Sequence, residues 1–134
     1  MNAPVQPRRA NECGVPDPFP YMHPVLKRNY GAWAWHDRLR PGVLHHVSKS
    51  GEEVWTVRAG TQRQMDVFTI RKLCDIGDKF AEGHVRFTTR SNIEFMLSSV
   101  DKVEPLIAAL ENNGFPVGGT GNSVSMISHT QGWL

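Results

Sequence analysis

The chain has 134 residues, 40% of them hydrophobic and 21% charged, which suits one globular domain with room for a real core. A formal charge of +2 does not by itself point to nucleic acid, and the apolar runs are only a few residues long, too short to span a membrane. The N-terminus lacks the apolar stretch of a signal peptide, so a cytoplasmic location is expected.

Residues 1–24 carry six of the nine prolines and read as an extended arm. Phe19, Tyr21 and Met22 suit a later part that lies on a surface, of this domain or of a partner. Residues 25–40, "VLKRNYGAWAWHDRLR", hold Tyr30, Trp33 and Trp35 and are interrupted by Gly31. They read as a short helical turn or irregular segment that docks its aromatics. Pro41–Gly42 marks a turn, which divides the chain into an arm over 1–41 and a packed half-domain over 42–134. Val43–Ser48 and Glu53–Ala59 form a hairpin around Gly51, with Trp55 and Val57 on one face and Val54, Thr56 and Arg58 on the other.

Asp66 is placed to cap a helix whose inward stripe is Ile70, Leu73, Gly77 and Phe80, ending near Gly83. Within it, Cys74 is expected to pack as a small hydrophobe. Cys13 is too distant in sequence to make a disulfide framework or metal site with it. A strand follows over about His84 to Arg90, then a tight connection at Ser91–Asn92. A return strand has Ile93, Phe95 and Leu97 on one face. Ser99 or Asp101 caps a second helix with Val103, Leu106, Ile107 and Leu110 inward, Pro105 tolerated in its first turn and Gly114 closing it. "FPVGGTGNS" is a Gly-rich loop and "VSMISHT" a last strand.

From Glu53 the order is β-α-β-β-α-β, an α+β ferredoxin-like sandwich with an extra N-terminal hairpin strand and the Pro-rich arm. In the strand from His84, residues Arg86, Thr88 and Arg90 stand two apart and share the face away from the helices, while Val85, Phe87 and Thr89 face the core. Arg58 joins that open face if its strand lies in the same sheet. Guanidiniums grouped this way suit a polyanion, because each forks carboxylate or phosphate. The pattern also suits a solvated face whose arginines pair with local acids.

Gly118, Gly119 and Gly121 could belong to a ligand-cradling loop or to a plain surface loop; they match neither a Walker A nor a dinucleotide fingerprint. His23, His36, His45, His46, His84 and His129 show no metal-ligand spacing, so no metal site is expected from this chain alone. The sheet type is shared with RNA-recognition modules, but the strand lacks their base-stacking aromatics, so a nucleic-acid partner is not expected. A non-catalytic module that binds an anion or single-stranded nucleic acid stands as the alternative function.

"VRFTTRSNIEF" resembles the siroheme-contacting strand pair of the sulfite and nitrite reductase superfamily. "HPVLKRNYGAWAWHD", "RPGVLHHVS", "WTVRAG", "GFPVGGTGNS" and "HTQGW", in that order from about residue 17 onward, are similar to dissimilatory sulfite reductase beta subunits. The resemblance implies an oxidoreductase interconverting sulfite and sulfide by six electrons. It also implies siroheme, an iron tetrapyrrole rimmed with carboxylates, joined through a cysteine to a [4Fe–4S] cluster. Its implied partners are a homologous alpha subunit in an α2β2 assembly and a small sulfur-carrier protein.

Residue by residue, the resemblance implies Arg86 and Arg90 on siroheme carboxylates, Thr88 between them, and Arg58 as the catalytic arginine of the distal anion pocket. Thr130 and Gln131 are implied as further cofactor contacts. Glu94 stands where assimilatory relatives carry a glutamine. "GNSVSMI" lacks the arginine with which those relatives add a substrate-binding cation, a charge expected from the alpha subunit. The family's cluster cysteines and second ferredoxin-like half come later in its chains. This chain is therefore expected to be an N-terminal portion that holds neither cofactor, and is inactive, by itself.

Overall fold

The computed structural model describes residues 14–122 and residue 124. Cys13, His129, Thr130, Gln131 and the expected last strand beyond Val124 lie outside them. The elements are a five-residue helix α1 (Pro24–Arg28), strands β1 (Trp33–Arg40), β2 (Val43–Ser48) and β3 (Glu53–Ala59), helix α2 (Val67–Phe80), strands β4 (Val85–Phe87) and β5 (Ile93–Leu97), and helix α3 (Val103–Asn112). The strands form one sheet in the order β1-β2-β3-β5-β4, every neighbour antiparallel. From β3 onward this is the expected ferredoxin-like path: β5 returns between β3 and β4, and Val117 adds an antiparallel bridge to Ala59.

Local chemistry sets the boundaries. Gly51, with φ of +87°, turns the β2–β3 hairpin. The Asp66 carboxylate accepts from the Thr69 N–H at 2.7 Å and starts α2. The Gly83 N–H returns to the Gly77 carbonyl at 3.1 Å and stops it. Ser99 caps a short 3-10 turn (Val100–Lys102) that leads into α3.

Both helices cover one sheet face. Leu73 and Ile76 of α2 and Val103, Leu106 and Leu110 of α3 pack on Val43, Val57, Ala59, Ile93, Phe95 and Leu97. Each fully buried Leu or Phe here contributes about 1.5–3 kcal/mol of transfer free energy. On the other face a smaller cluster joins Val25, Val54 and Met96 with Leu26 and Trp33. That cluster seats α1 on the sheet, so the later arm lies on this domain's own surface. Buried His23 reaches the Glu82 carboxylate at 3.0 Å and secures it.

Four expectations are corrected. Residues 25–40 are not an irregular segment: Gly31, with φ of +71°, separates α1 from β1, and "WAWHDRLR" pairs with β2 as the outermost strand. The sheet thus begins within the stretch read as arm. Ile70 is exposed, and Met65, ahead of the helix, packs against the core instead. The α2 stripe is Leu73, Ile76 and Gly77. Cys74 lies beside that stripe and is exposed. Phe87 is 66% exposed, because β4 is a three-residue edge strand that α2 closes over at Gly77 and Val85.

Candidate functional site

The site is built on the sheet face away from α2 and α3. There, antiparallel register places Glu94 of β5 directly between Arg58 of β3 and Arg86 of β4. Glu94 is fully buried. Arg58 Nε donates to its Oε1 at 2.8 Å, and Arg86 Nε donates to its Oε2. Burial pushes the Glu94 carboxyl up, but the two guanidinium bonds outweigh it and hold the group below the usual carboxylate range. The anion is therefore kept, and its desolvation is offset by two charge-assisted bonds. Both arginines spend only Nε on it. Their side chains remain 23% and 52% exposed.

Thr88 and Arg90 arrive by a different route from the one expected. The strand ends at Phe87, and Thr88–Ser91 is a turn, closed by Ser91 N–H to Thr88 O at 3.0 Å with Ser91 at φ of +56°. The Thr88 hydroxyl oxygen accepts from the Asn92 N–H at 3.2 Å, which leaves its own proton to donate. The turn folds back toward the sheet, so Arg58, Arg86, Thr88 and Arg90 still line one groove of about 240 Å³, with Phe87 and Thr89 on its rim. The four residues grouped in the sequence share one groove, but a turn and not a continued strand brings Thr88 and Arg90 to it.

The Gly-rich loop closes one end. Gly118 N–H donates to Arg58 O at 2.9 Å, and Gly42 N–H donates to Thr120 Oγ1 at 2.9 Å. The Gly118 amide is thus committed to the fold and cradles no ligand. Arg90 Nη2 donates to Gly121 O at 2.7 Å. From the other side Arg38 of β1 packs so closely on Gly121 that a Cβ there would lie 2.0 Å from its Nη1. The positive φ of Gly121, +62°, favours glycine there, while the Arg38 tip is free to shift. Arg38 was missed in the sequence because its strand was not recognised; read with period two, "WAWHDRLR" puts His36 and Arg38 on the arginine face. Four guanidiniums and one carboxylate leave three formal positive charges here.

Beside this groove lies a second hollow of about 350 Å³, lined by Trp33, His36, His46, Val54, Met96 and also Arg86. Burial holds His46 below its ordinary value, so it is neutral, and its Nε2 sits 3.4 Å from Thr56 Oγ1. The open face therefore joins an apolar, aromatic hollow to a cationic groove through Arg86. Among the described residues no group of three or more His, Cys, Asp or Glu could hold a metal ion, and no helix is long and apolar enough to cross a membrane.

The comparisons with known proteins agree with the fold. Residues 46–113 match the nitrite/sulfite reductase ferredoxin-like half domain. The chain is 47% identical over 121 residues to a dissimilatory-type sulfite reductase beta subunit of Nitratidesulfovibrio vulgaris, covering 85% of this chain and 32% of that protein. It is 46% identical over 121 residues to that of Megalodesulfovibrio gigas, covering 85% and 46%. With that of Archaeoglobus fulgidus it shares 42% over 120 residues, covering 84% and 33%. The chain thus spans less than half the length of these curated relatives. The matched half domain holds β3, α2, β4, β5 and α3, with Arg58, Arg86, Thr88, Arg90 and Glu94 inside it, and the chain belongs to the nitrite/sulfite reductase ferredoxin-like half-domain family.

Proposed function

We propose that this chain forms one wall of the siroheme and anion site of a dissimilatory-type sulfite reductase, as part of its beta subunit. The observation that carries the reading is the convergence of Arg58, Arg86, Thr88 and Arg90 on one groove, with Arg58 and Arg86 bonded to Glu94 through Nε. The donor set fits a carboxylate-rimmed tetrapyrrole. Fixed guanidiniums match the anionic rim, and the neighbouring hollow offers Trp33, His36, His46 and Met96 to an apolar ring system. The described residues include no group of three or more His, Cys, Asp or Glu able to hold a metal ion. In this reading the iron ligand and the [4Fe–4S] cysteines come from elsewhere in the enzyme, and this chain alone is inactive.

When bound, siroheme supplies the iron at which sulfite is reduced by electrons from the cluster. The chain's own residues bind and orient. Arg86 and Arg90 hold rim carboxylates, Thr88 donates its hydroxyl proton to one of them, and Arg58 offers its outer nitrogens to the oxyanion. Arg38, against Gly121 and lining a separate hollow, adds a further cation nearby. The alpha subunit, named for by the beta designation of the relatives, completes the cation set; sulfite as substrate, a sulfur-carrier partner and a cytoplasmic location belong to the same reading.

The test is binding of a metal-free polycarboxylate porphyrin to the chain, against its neutral methyl ester. The acid is expected to bind weakly, as fits one wall of a larger site, with an affinity that falls as salt rises, and the ester more weakly still. Arg90→Glu, which leaves the Glu94 pairs intact, is expected to weaken the acid on the order of tenfold, since a charge-assisted bond becomes a repulsion. Equal binding of acid and ester, or an unaffected variant, contradicts the reading. Tighter binding of a single-stranded oligonucleotide than of the porphyrin favours the non-catalytic alternative.

A further inference from the structure

We infer that Glu94 is a positioning residue, a buried carboxylate that presets Arg58 and Arg86 so that both present their terminal nitrogens to an anion on the open face. The inference deepens the cofactor-wall reading and rests on it for the identity of the anion. Its basis is geometric. Glu94 is 0% exposed on the inner strand β5, paired in register with Arg58 on one side and Arg86 on the other. One oxygen goes to each Nε.

A bond at Nε, unlike one at the terminal nitrogens, fixes the side-chain path while leaving the outer edge of the guanidinium open. An arginine carries several rotatable bonds, and ordering it at the moment of binding opposes affinity. The carboxylate orders two of them beforehand. It also lets two guanidiniums share one patch of sheet without direct repulsion. Arg38 and Arg90, which stand against Gly121, lie outside this arrangement.

The inference makes a prediction opposite in sign to simple electrostatics. Glu94 lowers the positive charge of the groove by one, so by Coulomb attraction alone its neutralisation should tighten anion binding. If Glu94 positions the arginines, Glu94→Gln should instead weaken binding of the metal-free polycarboxylate porphyrin, by about tenfold. Glu94→Asp keeps the charge but is one methylene short of spanning both strands, and should fall between. The second readout is the arginine Nε–H spectrum of the chain by nuclear magnetic resonance. Two dispersed, slowly exchanging signals are expected in the parent chain and should be assigned to Arg58 and Arg86 by single Lys substitutions. Both should merge with the exposed arginines in Glu94→Gln.

Binding by Glu94→Gln as tight as or tighter than the parent, or unchanged Nε–H signals, overturns the inference. If Glu94→Gln does not fold, Glu94→Asp is judged by the same two measurements: weakened binding with at least one signal lost supports the inference, and no change in either overturns it. If the parent chain does not bind the porphyrin, the comparison is made on siroheme content of the full-length beta subunit produced with its alpha partner, where Glu94→Gln at the parent level overturns the inference; the Nε–H signals of the chain test the positioning independently of the cofactor-wall reading.

Discussion

His23 and Glu82 tie the arm to the domain, and their protonation sets how that contact responds to pH. Partial burial pushes Glu82 up, but bonds from Ser98, Lys102 and His23 together hold it down to about 2. Burial lowers His23, with Glu82 partly opposing. Its Nδ1 accepts from the Val25 N–H at 3.2 Å, so Nε2 carries the proton that goes to Glu82. Both folded-state values lie below the ordinary ones. The His23 contribution is therefore complete above about 6.5 and lost as pH falls below it; the Glu82 contribution is complete above about 4.5 and lost as pH falls toward 2. Glu82→Gln is expected to cost about 1 kcal/mol at neutral pH, and melting curves of variant and parent should converge near pH 2. A constant difference at all pH values would contradict the assignment. At this scale the grouping of Arg58, Arg86, Thr88 and Arg90 was legible in the sequence, and so was the possibility that these arginines pair with a local acid. That the acid is Glu94 was not, because a cross-strand partner depends on register, which a single chain read linearly does not contain.

Among the elements, hairpin β2–β3 and helix α3 fell where turn glycines and apolar spacing placed them. Strand β1 did not, since its tryptophans and charges suggested docking, and only pairing with β2 makes its two-residue period meaningful. The length of β4 was likewise unreadable: "VRFTTR" alternates past the point where the Thr88 turn ends the ladder. These differences carry different energies. Leu106 is fully buried against both helix and sheet residues, so Leu106→Ala should cost about 2–5 kcal/mol. Phe87→Ser, on the exposed edge, should change stability by no more than about 0.5 kcal/mol. Urea titrations of the two variants check this. A large loss for Phe87→Ser would show that the edge is packed after all.

Across the whole molecule, apolar side chains remain on the outside in groups. Val67, Phe68 and Ile70 are exposed on the first turn of α2, and Trp35 and Leu39 are about half exposed on β1. Grouped exposure of this kind promotes association. Sedimentation should show concentration-dependent self-association that Phe68→Ser reduces, and a clean monomer at all concentrations would contradict it. The central claim is that the arginine face serves a cofactor. It is tested most directly by siroheme content per complex when the corresponding full-length beta subunit, carrying Arg90→Glu, which leaves the Glu94 pairs with Arg58 and Arg86 intact, is produced with its alpha partner. The melting temperature of this chain with the same substitution is the control. The account predicts a chain that still folds and a complex severely depleted in siroheme; a complex that keeps its siroheme while the substituted chain unfolds would contradict it.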